Sequence, residues 1–217
     1  MERRRIEGYP AAGTGWTATA WLRARARLLP NLLPQSPPWV RDVFDHTWAP
    51  MTALARQLAP LPASLWGHLL ACEGGYVAIC NGPSRYEPGS AQVRGRQVTN
   101  VAFVSVQDLA LENEQPLHIV GHLVDHHLGN GGAGEGAWFS EGGALRPRWR
   151  EAGARLGRLF ALEYGTDAVA RSSLRDYFAQ SLALYCRERQ RLNVADPQVT
   201  KWLRATLWDE SFWQAER

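Results

Sequence analysis

The stretch PLHIVGHLVDHHLG, residues 116–129, holds four of the six histidines and constrains the fold more than any other part of the chain. His118 and His122 stand four apart. On a helix their imidazoles project from one face, one turn apart, as two ligands of a single metal ion must. Asp125 and His126 continue that face. A histidine-rich helix bordering a polar loop shows the same HxxxH spacing, so the choice between metal ligands and a polar helix face rests on the rest of the sequence.

With 217 residues the chain suffices for one domain with a buried core, and 45% hydrophobic residues with ten tryptophans mark it as globular. No run reaches the roughly eighteen uncharged apolar residues of a membrane span, so a soluble protein without a membrane partner is expected. Residues 1–5 are basic, but the following IEGYPAAGTGWTATAWL lacks the compact apolar run of a secretory signal, which makes the cytoplasm the expected location. The net charge of +3 is modest, and Lys201 is the only lysine among 24 basic residues. Arginine in such excess often reflects coding bias. The RARAR cluster, residues 23–27, would be spread around a helix as a solvated face, so nucleic acid is not the expected partner. Cys72, Cys80 and Cys186 are odd in number and lack CxxC spacing, which predicts buried, reduced thiols.

Periodicity divides the chain into three parts of one α+β domain spanning residues 1–217. Residues 1–62 read as helical: Ser36 and Pro37 look like a cap and first turn, Val40, Val43, Phe44, Thr47, Met51, Leu54 and Leu58 recur at helical spacing, and Pro50 should kink or split the helix. Residues 63–112 read as a small sheet with hairpins, in which NGPSRYEPGS is a turn. Residues 113–217 are helical again, interrupted by the glycine-rich GNGGAGEGAWFSEGG.

A second amphipathic helix is predicted over residues 172–186, SSLRDYFAQSLALYC, with Phe178, Leu182, Ala183 and Tyr185 on its apolar face and Asp176 and Gln180 four apart. HIVGHLVD and DYFAQSLALY together resemble the two ligand-bearing helices of the anthrax lethal factor family of zinc peptidases, which read HExGHxxD and ExFAExFxxY. NGPSRYEPGSAQV is similar to the hairpin and edge strand that precede the histidine helix in that family. The resemblance covers about half of the chain and implies a zincin-like fold. It makes His118, His122 and Asp176 the ligands of a zinc ion, and places Asp125 and Gln180 around them as residues that support the ligands. Three positions depart from the family pattern. Asp176 is one methylene shorter than the family's glutamate ligand, Gln180 is neutral where the family is charged, and Ile119 occupies the place of the catalytic glutamate. The family's oxyanion tyrosine has no clear counterpart; Val169 falls near its place, and Tyr164 is the closest tyrosine.

Two of these positions have rival readings. Asp176 follows Ser173 by three residues, so it can equally serve a helix-capping box. Asp167, in YGTDAV, is a second candidate ligand. Ile119 is different in kind, because a zinc peptidase needs a carboxylate there to take the proton of the metal-bound water and deliver it to the leaving amine. Glu114 and Asp125 are the nearest acids, and neither is placed to substitute. The resemblance and its departures together imply a degenerate zinc-peptidase-like protein with no catalytic residue of its own, keeping a cleft for a peptide or protein ligand, with or without a metal ion. An active zinc hydrolase with a rearranged site, and an arginine-rich binder of nucleic acid or an acidic partner, are the alternatives.

Overall fold

The computed structural model describes residues 16–132, 136–164 and 167–214. The basic start of the chain, three residues of the glycine-rich loop and the Gly-Thr of YGTDAV lie outside these.

Within the described residues, the first part runs α1 (Ala18–Arg25), β1 (Ala26–Leu28), α2 (Pro38–Val43), α3 (Ala49–Leu58) and α4 (Ala63–Ala71). Pro50 falls in the first turn of α3, where its missing N–H costs nothing, so the expected long helix is split in two. Ser36 does not cap α2: its hydroxyl lies 2.6 Å from Leu32 O and 2.7 Å from Asn81 Oδ1. The RARAR cluster is not one helical face either. It straddles the end of α1 and the start of β1, and Arg25 and Arg27 donate to the backbone carbonyls of Cys72 and Ala26.

The sheet contains β1, β2 (Tyr76–Cys80), β3 (Arg85–Val93) and β4 (Arg96–Ser105), in the order β1-β2-β4-β3. β1, β2 and β4 are parallel and β3 is antiparallel to β4, which leaves β3 at one edge. The sheet therefore departs from the expected bounds at both ends: its first strand, β1, comes from the part read as helical, and residues 63–71 of the part read as sheet form α4. NGPSRYEPGS is a turn only over its first residues, since Arg85 onward is strand. Register is interrupted where Pro88 and Gly89 face the single residue Asn100. There Asn100, at φ +60°, accepts from Gly89 N–H and donates to Gly132 O. Such a bulge suits Pro88, which has no N–H to give to a ladder.

Strand alternation sorts the sheet's two faces. Val77, Ile79, Ala102 and Val104 join the main core under the helices, whereas Ala78, Cys80, Val101 and Phe103 form a smaller cluster on the other face. Tyr86, paired with Ala102, points to the helical side. The last part comprises α5 (Val106–Ala110), α6 (Gln115–Asn130), α7 (Pro147–Phe160), α8 (Leu174–Arg187), α9 (Arg189–Ala195), α10 (Pro197–Arg204) and α11 (Glu210–Trp213). The main core draws on residues from Ala18 to Trp213. Cys72 and Cys80 are buried, Cys186 is half-buried, and all three thiols are free; burial pushes Cys72 and Cys186 up to about 12, so they stay protonated. No helix among the described residues is long and apolar enough to cross a membrane.

The contact that positions the site lies between α6 and α8. A Cβ on Gly121 would stand 2.9 Å from Ala179 Cα, so the two backbones meet where only glycine leaves room. His118 and His122 flank Gly121 on one helix, and Asp176 and Gln180 flank Ala179 on the other.

Candidate metal centre

α6 begins with Pro116 in its first turn and ends at Gly131, whose φ of +71° closes the helix in the left-handed region. α8 begins at Ser173, whose Oγ accepts from Asp176 N–H at 3.0 Å. These two starts set the register that brings the histidines of α6 opposite the first turn of α8.

His118 Nε2 and His122 Nε2 are 3.1 Å apart, and Asp176 Oδ1 lies 3.6 Å from the first and 3.3 Å from the second. Neighbouring ligands of a four-coordinate ion with bonds of about 2.0–2.1 Å are separated by about 3.3 Å, so the triangle has the size that such an ion requires. The three residues could hold a metal ion. The two readings of Asp176 are compatible. Its Oδ2 accepts from Ser172 Oγ at 2.8 Å and Ser173 Oγ at 2.5 Å, completing the helix start, while Oδ1 faces the imidazoles.

The protonation pattern follows from the partners. Gln180, buried beneath His118, gives its amide hydrogens to Glu114 Oε1 at 3.0 Å and Asp167 Oδ2 at 3.1 Å, which turns its Oε1 toward His118 Nδ1 at 3.1 Å. That oxygen can only accept, so Nδ1 carries the hydrogen and Nε2 presents its lone pair to the centre. Burial first, then the neighbouring His122, pushes His118 down to about 4, keeping it neutral at physiological pH. The hydrogen bond from His122, together with those from Ser173 and Ser172, outweighs partial burial and holds the Asp176 carboxyl well below its ordinary range. A neutral imidazole and an ionised carboxylate are the forms a metal ion binds.

Other predicted positions fall differently. Asp125 is fully buried, but both its oxygens go to Ser140: Oδ1 accepts from the N–H and Oδ2 from the Oγ–H, each at 2.7 Å. It ties the glycine-rich loop to α6 and makes no hydrogen bond to either imidazole among the described residues. Asp167 is one step removed from the centre, bonding Gln180 and the N–H of Ala170. Ile119 is 6% exposed and belongs to the main core. Tyr164 and Val169 are both exposed.

Reasoning from spacing missed the wall beside His122. Tyr86, on the edge strand β3, lies parallel to the His122 ring at 6.4 Å and has its hydroxyl 2.7 Å from His126 Nδ1. Trp138, from the glycine-rich loop, stacks on His126 at 4.9 Å, while Arg175 covers its ring at 4.2 Å and pairs bidentately with Glu141. The loop reaches this position by crossing the end of α6, where a Cβ on Gly129 would stand 2.1 Å from Ala137 O. No protein-family model, curated protein or solved structure matches this chain.

Proposed function

We propose that the chain is a zinc-binding, zincin-like protein without peptidase activity, in which His118, His122 and Asp176 hold the ion and the cleft beside them takes a peptide or protein ligand. The observation that carries this reading is the coincidence of a three-donor triangle with a buried isoleucine at the residue that the resemblance aligns with the catalytic glutamate. Zinc is the ion that the resemblance to the lethal factor family implies, and a triangle with sides of 3.1, 3.3 and 3.6 Å accommodates it.

Zinc bound there would supply a Lewis acid with one coordination position left for a ligand. Gln180 orients His118 through Nδ1, and Ser172 and Ser173 hold Asp176 so that one oxygen remains directed inward. Tyr86 and Trp138 restrict the side of the centre next to His122. Among the described residues, none is placed for the carboxylate chemistry that turns a bound water into a nucleophile: Asp125 is engaged by Ser140, Glu114 by Gln180, and Ile119 has nothing to exchange. A partner that brings its own donor group to the ion fits this arrangement better than a scissile peptide.

The test is a zinc titration of the full chain after treatment with chelator. About one zinc per chain is expected, with His118→Ala and His122→Ala each abolishing it, and no chelator-sensitive peptide hydrolysis by the unaltered chain. Stoichiometry unchanged by both substitutions would remove the assignment, and zinc-dependent proteolysis would show that another group acts as base.

A further inference from the structure

A second site lies between α1, β1, α3 and the turn joining β3 to β4. A groove of about 540 Å³ opens there, within the range of small-molecule sites. Leu22, Leu28 and Met51 form its apolar surface, and the indole of Trp48, 64% exposed, stands at its side. Arg23, Arg27 and Arg94 line the same groove, and no carboxylate is among its described lining residues; the Arg27 guanidinium already donates to Ala26 O at 2.7 Å and lies over the Tyr76 ring. None of the ion pairs among the described residues involves these three arginines.

Arg94 adds a second, independent observation. It and Gly95 are the two residues of the hairpin turn between the paired Val93 and Arg96, with φ of +53° and +73°. Turns of this kind favour Asn-Gly, and a long side chain held at positive φ is strained. The chain here keeps an arginine at the groove where asparagine would make the better turn.

We propose that this groove binds a small amphiphilic oxyanion, an apolar body carrying one carboxylate or phosphate group. The body rests on Leu22, Leu28 and Met51 beside Trp48, and the head lies among the guanidiniums, which recognise planar or tetrahedral oxyanions by charge-assisted hydrogen bonds. An apolar ligand without the charge would leave Arg23 and Arg94 without a counter-charge, and a bare anion would leave the apolar surface wet.

The experiment is calorimetric titration of the full chain with octyl phosphate, and separately with octan-1-ol, inorganic phosphate and phosphatidylglycerol vesicles. One octyl phosphate per chain is expected, with octanol and inorganic phosphate each bound about tenfold or more weakly. Arg94→Asn separates recognition from folding: it installs the favoured turn, so melting temperature should rise while octyl phosphate affinity falls about tenfold. Met51→Trp, which fills the groove, should abolish binding. Equal affinity for octanol or inorganic phosphate would overturn the proposal, as would binding unaffected by both substitutions. Binding to vesicles without binding to free octyl phosphate would replace it with a membrane contact.

Discussion

Ile119 carries the sharpest residue-level expectation. Its side chain is buried in the main core, so Ile119→Glu places a carboxylate among apolar groups and should cost on the order of 3 kcal/mol, without conferring peptide turnover. Melting temperature and hydrolysis measured on the same variant decide this. Chelator-sensitive turnover by the variant would show that position 119 faces the ion. Proton linkage gives a second expectation, independent of the metal centre. Burial pushes His68 down to about 3 and His127 to about 4, so both stay neutral while the unfolded chain charges near pH 6.5. Their stabilisation is fully present above about pH 6.5 and is lost as pH falls toward about 4. Asp125 has the opposite sign. Burial raises it to about 7, so its contribution is present at low pH and is lost as pH rises through about 7. Chelated protein should therefore melt at lower temperature as pH falls from 6.5 to 4.5, and Asp125→Asn, by removing the opposing carboxylate, should steepen that fall. A melting temperature that is flat over this window in both proteins would contradict these assignments.

Between elements, the contact of α6 with α8 sets the geometry of the centre. In an open helix, replacing glycine by alanine stabilises by about 1 kcal/mol. Gly157 of α7 has such room, since its added Cβ would meet only Leu174 Cδ2 at 3.8 Å, and Gly157→Ala should raise the melting temperature. Gly121→Ala should do the reverse. Its Cβ would stand 2.9 Å from Ala179 Cα and 3.0 Å from Ala179 Cβ, so the helices must separate, at a cost of about 1–3 kcal/mol. Because the proposed ligands flank this contact on both helices, zinc affinity should fall with it. Stability and zinc titrations on the pair of variants check both outcomes, and an unaltered zinc affinity in Gly121→Ala would show that the ligands do not depend on this approach.

For the whole molecule, an ion held by α6 and α8 ties together two elements that are far apart in the chain and binds only the folded form. At about a thousandfold excess of zinc over its dissociation constant the added stability is about 4 kcal/mol. For a chain of this size each kcal/mol corresponds to about 2–4 °C, so zinc should raise the melting temperature of chelated protein by about 10 °C, and His122→Ala should remove the effect. Scanning calorimetry with and without zinc measures it; a shift retained in His122→Ala would place the ion elsewhere.

Local periodicity determined much of this. The spacing of His118 and His122, the cap at Ser173 and the apolar faces of both helices are properties of neighbouring residues, and those helices form where the patterns stand. The α+β class and the split at Pro50 follow for the same reason. What spacing could not decide was which groups meet across the chain. Asp176 serves as both cap and candidate ligand because its two oxygens point in different directions, and only packing sets those directions. Asp125 continues the histidine face in sequence, yet tertiary structure brings Ser140 to it and takes both oxygens. Tyr86 and Trp138 reach His122 from an edge strand and a loop whose paths no local pattern encodes. The same holds for Arg23, Arg27 and Arg94, which share one groove only because a helix end, a strand and a hairpin turn converge there.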